Sequence, residues 1–228
     1  MTTPLEPRHA DEVPGWALAS ALAAPVAMIG GWTVAASRQP SFDAVRETIS
    51  DLAATSAHQP WIMTAGLAAT GAAHLVTAAG LRPVPTSGRL LHGLGGAATL
   101  AVALLPVDAH PRAHGIAAAV GFGALALWPA ASARRGQRGI LHPVVGAAAS
   151  AALVGMLAVF VVELRTDGPA VGLTERVVAG AQALWPLAVV VALRGSGRRS
   201  TRRNRQPTRF LAASTRPRRR CRWRCTSG

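Results

Sequence analysis

Lysine is absent from this 228-residue chain and cysteine nearly so. All 24 basic residues are arginine. With alanine abundant, this fits a GC-rich coding sequence, so the choice of Arg over Lys need not reflect guanidinium chemistry. The only cysteines, Cys221 and Cys225, lie in the last eight residues and imply no disulfide framework. A C-x3-C pair among arginines supplies half a zinc site at most, and no second ligand pair is near it. Charge is scarce, at 15% of residues. The net charge of +14 would by itself suggest a nucleic-acid binder. However, 13 of the 24 arginines fall from Arg194 onward, and the body before them has 11 Arg against 10 acids. The basic character belongs to a tail, and no nucleic-acid partner is expected. The chain also has no phosphate loop, no Gly-x-Ser-x-Gly elbow and no Cys/His nucleophile pair.

What the chain has instead is long apolar runs. Trp16 to Ser37 is 22 residues without a charge. A hydrocarbon core of ~30 Å needs about 20 helical residues at ~1.5 Å each. Val34-Ala-Ala36 could mimic a signal-peptide cleavage site, but the leader is acidic and the run is too long for a typical h-region. A retained helix is expected. Five more runs follow at about 61–81, 90–107, 113–133, 140–162 and 177–193. Each is apolar all round, without the polar stripe of a soluble amphipathic helix. Six such helices in one short chain leave too little polar surface to cover them, so the bilayer is the expected solvent. A central Arg or Asp costs about 2.5–3.5 kcal/mol on insertion scales, and these runs keep Arg, Asp and Glu at or beyond their ends. Pro25, Pro129 and Pro186 fall inside runs, as membrane helices tolerate.

The expected fold is all-α: a polytopic transmembrane bundle of six helices over residues 16–194. It follows a cytoplasmic segment, 1–15, and precedes an Arg-rich tail, 195–228, too poor in apolar residues to fold. Six spans put Arg8, Arg82, Arg89, Arg134, Arg135, Arg138 and the tail on one side. Arg38, Arg46, Arg112, Arg165 and Arg176 fall opposite. The positive-inside rule then places both termini in the cytoplasm of a cell (inner) membrane. Membrane lipids are the expected partners. The tail is either simply solvated or adheres to anionic headgroups at about 1 kcal/mol per Arg. The sequence sets no oligomeric state. A weak internal repeat is visible: Gly88-Arg-Leu-Leu-His92 with Gly96-Ala-Ala against Arg138-Gly-Ile-Leu-His142 with Gly146-Ala-Ala. Ala126-Leu-Trp-Pro129 likewise echoes Ala183-Leu-Trp-Pro186.

Between the third and fourth runs lies a polar joint, Leu105-Pro-Val-Asp-Ala-His-Pro-Arg-Ala-His-Gly115. It reads as a hairpin turn at one membrane face. The helix directions bring Glu47, Ser50, Asp51, Asp108, His110, His114 and Glu163 to the same depth. Ser, Asp and His together could bind a metal, polarise water or hold a polar headgroup. His110 and His114 are spaced i, i+4, but Pro111 is a natural first helical residue, so His110 falls before the helix. The alternative reading is structural. Ser50 or Asp51 would cap a short interfacial helix, and Asp108 and His114 would tie the hairpin together. An inner layer holds His92 and His142, near Arg89 and Arg138, as candidates for anionic headgroups; His92 and His142 could also pair there. His74 lies deeper. A histidine on each of helices 2 to 5 is the pattern of di-haem cytochromes. Yet His74 and His114 differ in depth by roughly 10 Å or more, too far to share an iron.

Glu47-Thr-Ile-Ser-Asp-Leu-Ala53, a following helix with Gly66 and Gly71, Leu105-Pro-Val-Asp108 and then His114 stand in a recognisable order. The chain resembles the bacterial DUF998 family of six-helix membrane proteins, itself similar to the Frag1/DRAM/Sfk1 group. The resemblance covers roughly residues 16–194. The glycine usual after the Ser-x-Leu element is Ala53 here. The resemblance implies a fold and a location and carries no established activity. The leading expectation is a non-enzymatic protein, without cofactor or metal, that binds lipid or a small amphiphile. Ser50, Asp51, Asp108 and His114 would line its outward pocket. The rivals are a metal-dependent membrane hydrolase using the same cluster and a haem-binding electron-transfer protein.

Overall fold

The computed structural model describes residues 12–204, with side chains from 12 to 196. Six helices account for most of it: α1 (Gly15–Arg38), α2 (Trp61–Gly80), α3 (Thr86–Leu104), α4 (Pro111–Ala131), α5 (Pro143–Arg165) and α6 (Val171–Asn204). Two single 3-10 turns, Asp51–Ala53 and Gly139–Leu141, lie in the connections. Among the described residues there is no strand. All helices except α3 are long and apolar enough to cross a membrane. The 24 residues of α1 reach about 36 Å at ~1.5 Å per residue. The N-terminal segment 1–11 and the tail beyond Asn204 lie outside the described residues.

Three helices depart from the expected runs in informative ways. Helix α3 opens at Thr86 rather than residue 90, so Arg89 is helical. Its guanidinium folds back on the Ala78 and Ala79 carbonyls at 3.0 and 3.2 Å, satisfying the end of α2. Helix α5 opens at Pro143 rather than residue 140. Proline occupies its first turn, and the His142 side chain caps it by accepting from Val144 N at 3.2 Å. Helix α6 opens at Val171 and runs to Asn204, well past both ends of its apolar stretch. Glu175 and Arg176 are therefore inside a helix rather than ahead of one.

Consecutive helices pack as hairpins, and α6 returns against α1 to close the bundle. Small residues set the closest crossings. A Cβ on Gly71 would stand 2.7 Å from the Gly96 carbonyl oxygen, and one on Gly96 2.8 Å from that of Gly71. A Cβ on Gly146 would stand 2.6 Å from the Pro129 carbonyl oxygen, where α5 meets α4. Two buried apolar clusters result. One gathers Ala17, Ala21, Leu81, Trp128, Leu141 and Val190. The other gathers Ala35, Ile49, Leu52, Met63, Leu67 and Ala183. Buried Thr70, His74, His92, Thr99 and Gln182 lie on the same helices. Large apolar side chains are exposed around the outside, including Val26, Ile116, Val144, Val162 and Val191. A surface of that kind calls for lipid rather than water. The sequence repeat has no structural counterpart at its histidines: His92 is buried inside α3, whereas His142 precedes α5.

Candidate functional site

The site is built at the end of the bundle where 39–60, the α3–α4 turn and the α5–α6 turn meet. Segment 39–60 is fastened at both ends. Gln39 brackets His58, its Nε2 donating to the His58 carbonyl at 2.8 Å and its Oε1 accepting from His58 N at 3.0 Å. Asp108 takes the far side. Its carboxylate accepts from Thr55 Oγ1 at 2.6 Å, Thr55 N at 3.0 Å and Ser56 N at 3.1 Å. The Thr55 hydroxyl and amide, then the Ser56 amide, hold the Asp108 carboxyl well below its ordinary range. In between, Thr48 and Asp51 form a reciprocal box around the 3-10 turn. Thr48 N donates to Asp51 Oδ2 at 2.7 Å, and Asp51 N donates to Thr48 Oγ1 at 3.1 Å. Ile49, Leu52 and Ala53 are buried beneath it.

These restraints set Ser50 against His114, whose ring is buried at the first turn of α4. Ser50 Oγ lies 2.9 Å from His114 Nε2, and His114 Nδ1 lies 2.7 Å from the Leu105 carbonyl oxygen. A carbonyl oxygen only accepts, so Nδ1 carries a hydrogen. In the neutral ring Nε2 is then the bare nitrogen, and the Ser50 hydroxyl donates to it. Ser50 stands at the start of the 3-10 turn but does not cap it.

A groove of about 760 Å³ runs from this pair along α4 and α5. Its polar end holds Ser50, Asp51, Arg112, His114, Arg165 and Glu175; its apolar walls include Ile116, Ala119, Phe122, Leu157, Phe160 and Val161. Ser50 and Glu175 also line an interior cavity of about 50 Å³, with His74, Thr99, Phe122 and Gln182. That is room for one or two waters.

The structure thus sorts the candidates. Ser50, Asp51 and His114 meet at the groove, and Asp108 stands outside it with its carboxylate committed to Thr55 and Ser56. Glu47 accepts from Asp43 N at 2.7 Å and lines a separate polar hollow with Gln39 and Asp51. Glu163 accepts from Ala170 N at 2.9 Å and closes the α5–α6 turn. His110 is exposed just before α4. At the opposite end Arg138 and His142 are exposed, and Arg89 is engaged with α2. His92 corrects its expected place among headgroups. It is fully buried, pairs with His74 rather than His142, and stacks on Trp128 at 4.5 Å between centroids. Its Nδ1 has no hydrogen-bond partner among the described residues.

Three polar residues were not among the expected site residues. Glu175 is buried and accepts from Ile49 N. Arg176 Nη1 donates to the carbonyls of Ala44, Glu47 and Gly172 at 2.7–3.0 Å, and its guanidinium lies 5.3 Å from the centre of the Phe42 ring. Gln182 Nε2 donates to the Phe122 carbonyl at 2.9 Å. Arg and Glu beside an apolar run look like its end, and only the irregular loop packed on them reveals otherwise.

The buried histidines of α2 and α3 pair with each other. His74 Nδ1 and His92 Nε2 are 3.0 Å apart. The two trans ligands of one haem iron would stand roughly 4 Å apart, at about 2.0 Å per bond. Among the described residues no three His, Cys, Asp or Glu side chains are grouped to hold an ion. Cys221 and Cys225 lie outside those residues.

No curated protein and no solved structure matches the chain significantly. A family model described as "Protein of unknown function (DUF998)" matches residues 21–192. With that match over most of its length, on an all-helical bundle rich in membrane-spanning candidates, the chain belongs to the DUF998 family and is a multi-pass membrane protein.

Proposed function

We propose that this protein binds an anionic amphiphile in the groove between α4 and α5. The observation that carries the reading is the groove's polarity. Its walls are apolar, and its polar end has two arginines, Arg112 and Arg165, neither in an ion pair with a described carboxylate. Chains of the ligand lie along Ile116, Leu157, Phe160 and Val161, and its phosphate or carboxylate meets the arginines beside Ser50 and His114. Asp51 lines the same end and disfavours a second negative charge there. By the positive-inside rule both termini are cytoplasmic and this end faces the outer leaflet of a cell membrane. On this reading the arginine-rich segment 195–228, with Arg138 and His142, meets anionic headgroups on the other leaflet.

The test is native mass spectrometry of the protein in defined nanodiscs of phosphatidylglycerol or phosphatidylcholine. Retention of the anionic lipid is expected. Arg112→Ala and Arg165→Ala should each weaken it about tenfold, the equivalent of ~1.4 kcal/mol for one charge-assisted hydrogen bond. Equal retention of both lipids, unchanged by either substitution, refutes the reading.

A further inference from the structure

We propose that Ser50 and His114 form a nucleophile–base pair that cleaves an ester of the amphiphile held in the groove. The proposal rests on the amphiphile-binding reading and adds an activity to it. Three observations carry it. The geometry suits an activated serine: with Leu105 O accepting from Nδ1, the neutral ring presents Nε2 to the Ser50 hydroxyl as an acceptor. The backbone carbonyl here does the orienting work that a carboxylate does in the Ser-His-Asp arrangement. Next, the bond is not needed to fasten the loop or to cap its turn. Thr48 and Asp51 cap the turn, and Asp108 already ties the loop to the α3–α4 hairpin. Finally, Ser50 and His114 both line the large groove, beside Arg112.

The reaction follows from these positions. Ser50 Oγ bonds to the ester carbonyl carbon while its proton passes to His114 Nε2, and the carbonyl π pair moves onto oxygen. Arg112, lining the same groove, is a cation available to that developing negative charge. Collapse of the intermediate breaks the bond to the alkoxy oxygen, which leaves as an alcohol with the proton from His114. Water then attacks the acylated Ser50, giving its proton to His114 and its oxygen to the carbonyl carbon. The carboxylic acid departs and the proton returns to Ser50 Oγ. One ester and one water become one acid and one alcohol.

An alkyl fluorophosphonate tests this on the full chain in nanodiscs, with the adduct mapped by peptide mass spectrometry. A single adduct on Ser50 is expected, lost in Ser50→Ala and formed at least 100-fold more slowly in His114→Gln. Thermal melts and lipid retention of both variants are measured alongside. If lipid retention is intact but Ser50 takes up no probe, the hydrolytic proposal falls and the binding reading stands. If neither is seen, both fall. Should Ser50→Ala fail to fold, the position of the adduct in the unaltered chain decides alone, and labelling of any other serine in place of Ser50 overturns the proposal.

Discussion

Asp108 shows what one exposed carboxylate can do at a membrane face. Its two oxygens take three hydrogen bonds from Thr55 and Ser56, and those donors favour the charged form. A carboxyl whose folded pKa lies below its unfolded value, near 3.8, stabilises the fold at every pH above that value. The contribution fades as pH falls towards the folded pKa. Asp108→Asn should therefore lower the melting temperature by a constant amount from pH 8 to pH 5, and by a shrinking amount below about pH 4. Melts of wild type and variant across that range check it; a gap that widens in acid contradicts the role. The sequence offered Asp108 either as a tie within the α3–α4 hairpin or as a pocket residue. Its carboxylate instead bonds Thr55 and Ser56 of segment 39–60, and it is His114 that bonds within the hairpin, to Leu105 O. Proximity in depth is readable from helix direction, but the partner of a given oxygen is not.

At the scale of the element, the helix count came from hydropathy and the limits from chemistry that hydropathy does not see. Arg89, Glu175 and Arg176 are all helical, because each finds backbone partners or a buried amide. Charge next to an apolar run ends a span only when nothing nearby neutralises its cost. The α2–α3 crossing is the strictest of the packing constraints, with Gly71 and Gly96 each facing the other's carbonyl oxygen. Gly96→Val should destabilise the bundle by about 1–3 kcal/mol through overpacking, whereas Gly123→Val should not, since a Cβ on Gly123 meets open space. Unfolding in a denaturing detergent series compares the two, and equal losses would sink the crossing argument. The glycines were legible as small-residue positions, but which pair touches depends on helix rotation, which alternating Ala and Gly leave undetermined. The His74–His92 pair has the same origin. Eighteen residues separate them, and only the tight α2–α3 crossing brings their rings together.

For the molecule as a whole, the two ends of the bundle differ in a way that fixes a topology experiment. Ser56 is exposed at the Ser50–His114 end, and Gln137 is exposed at the other. With Cys221 and Cys225 replaced by serine, Ser56→Cys in intact cells should react with a membrane-impermeant maleimide. Gln137→Cys should react only after lysis. The reverse pattern would invert the orientation and place the groove's polar end in the cytoplasm.

Helix α5 is the least buried wall of that groove, contributing only Gly146, Ser150, Leu153 and Phe160 to the interior. Its remaining faces meet hydrocarbon. If the proposed amphiphile binds beside α4, its route is therefore sideways out of the leaflet, without crossing bulk water. On the proposed binding reading, the concentration that matters is mole fraction in two dimensions. Short-chain soluble analogues, dilute in three, will look feeble against it even where every chemical group fits.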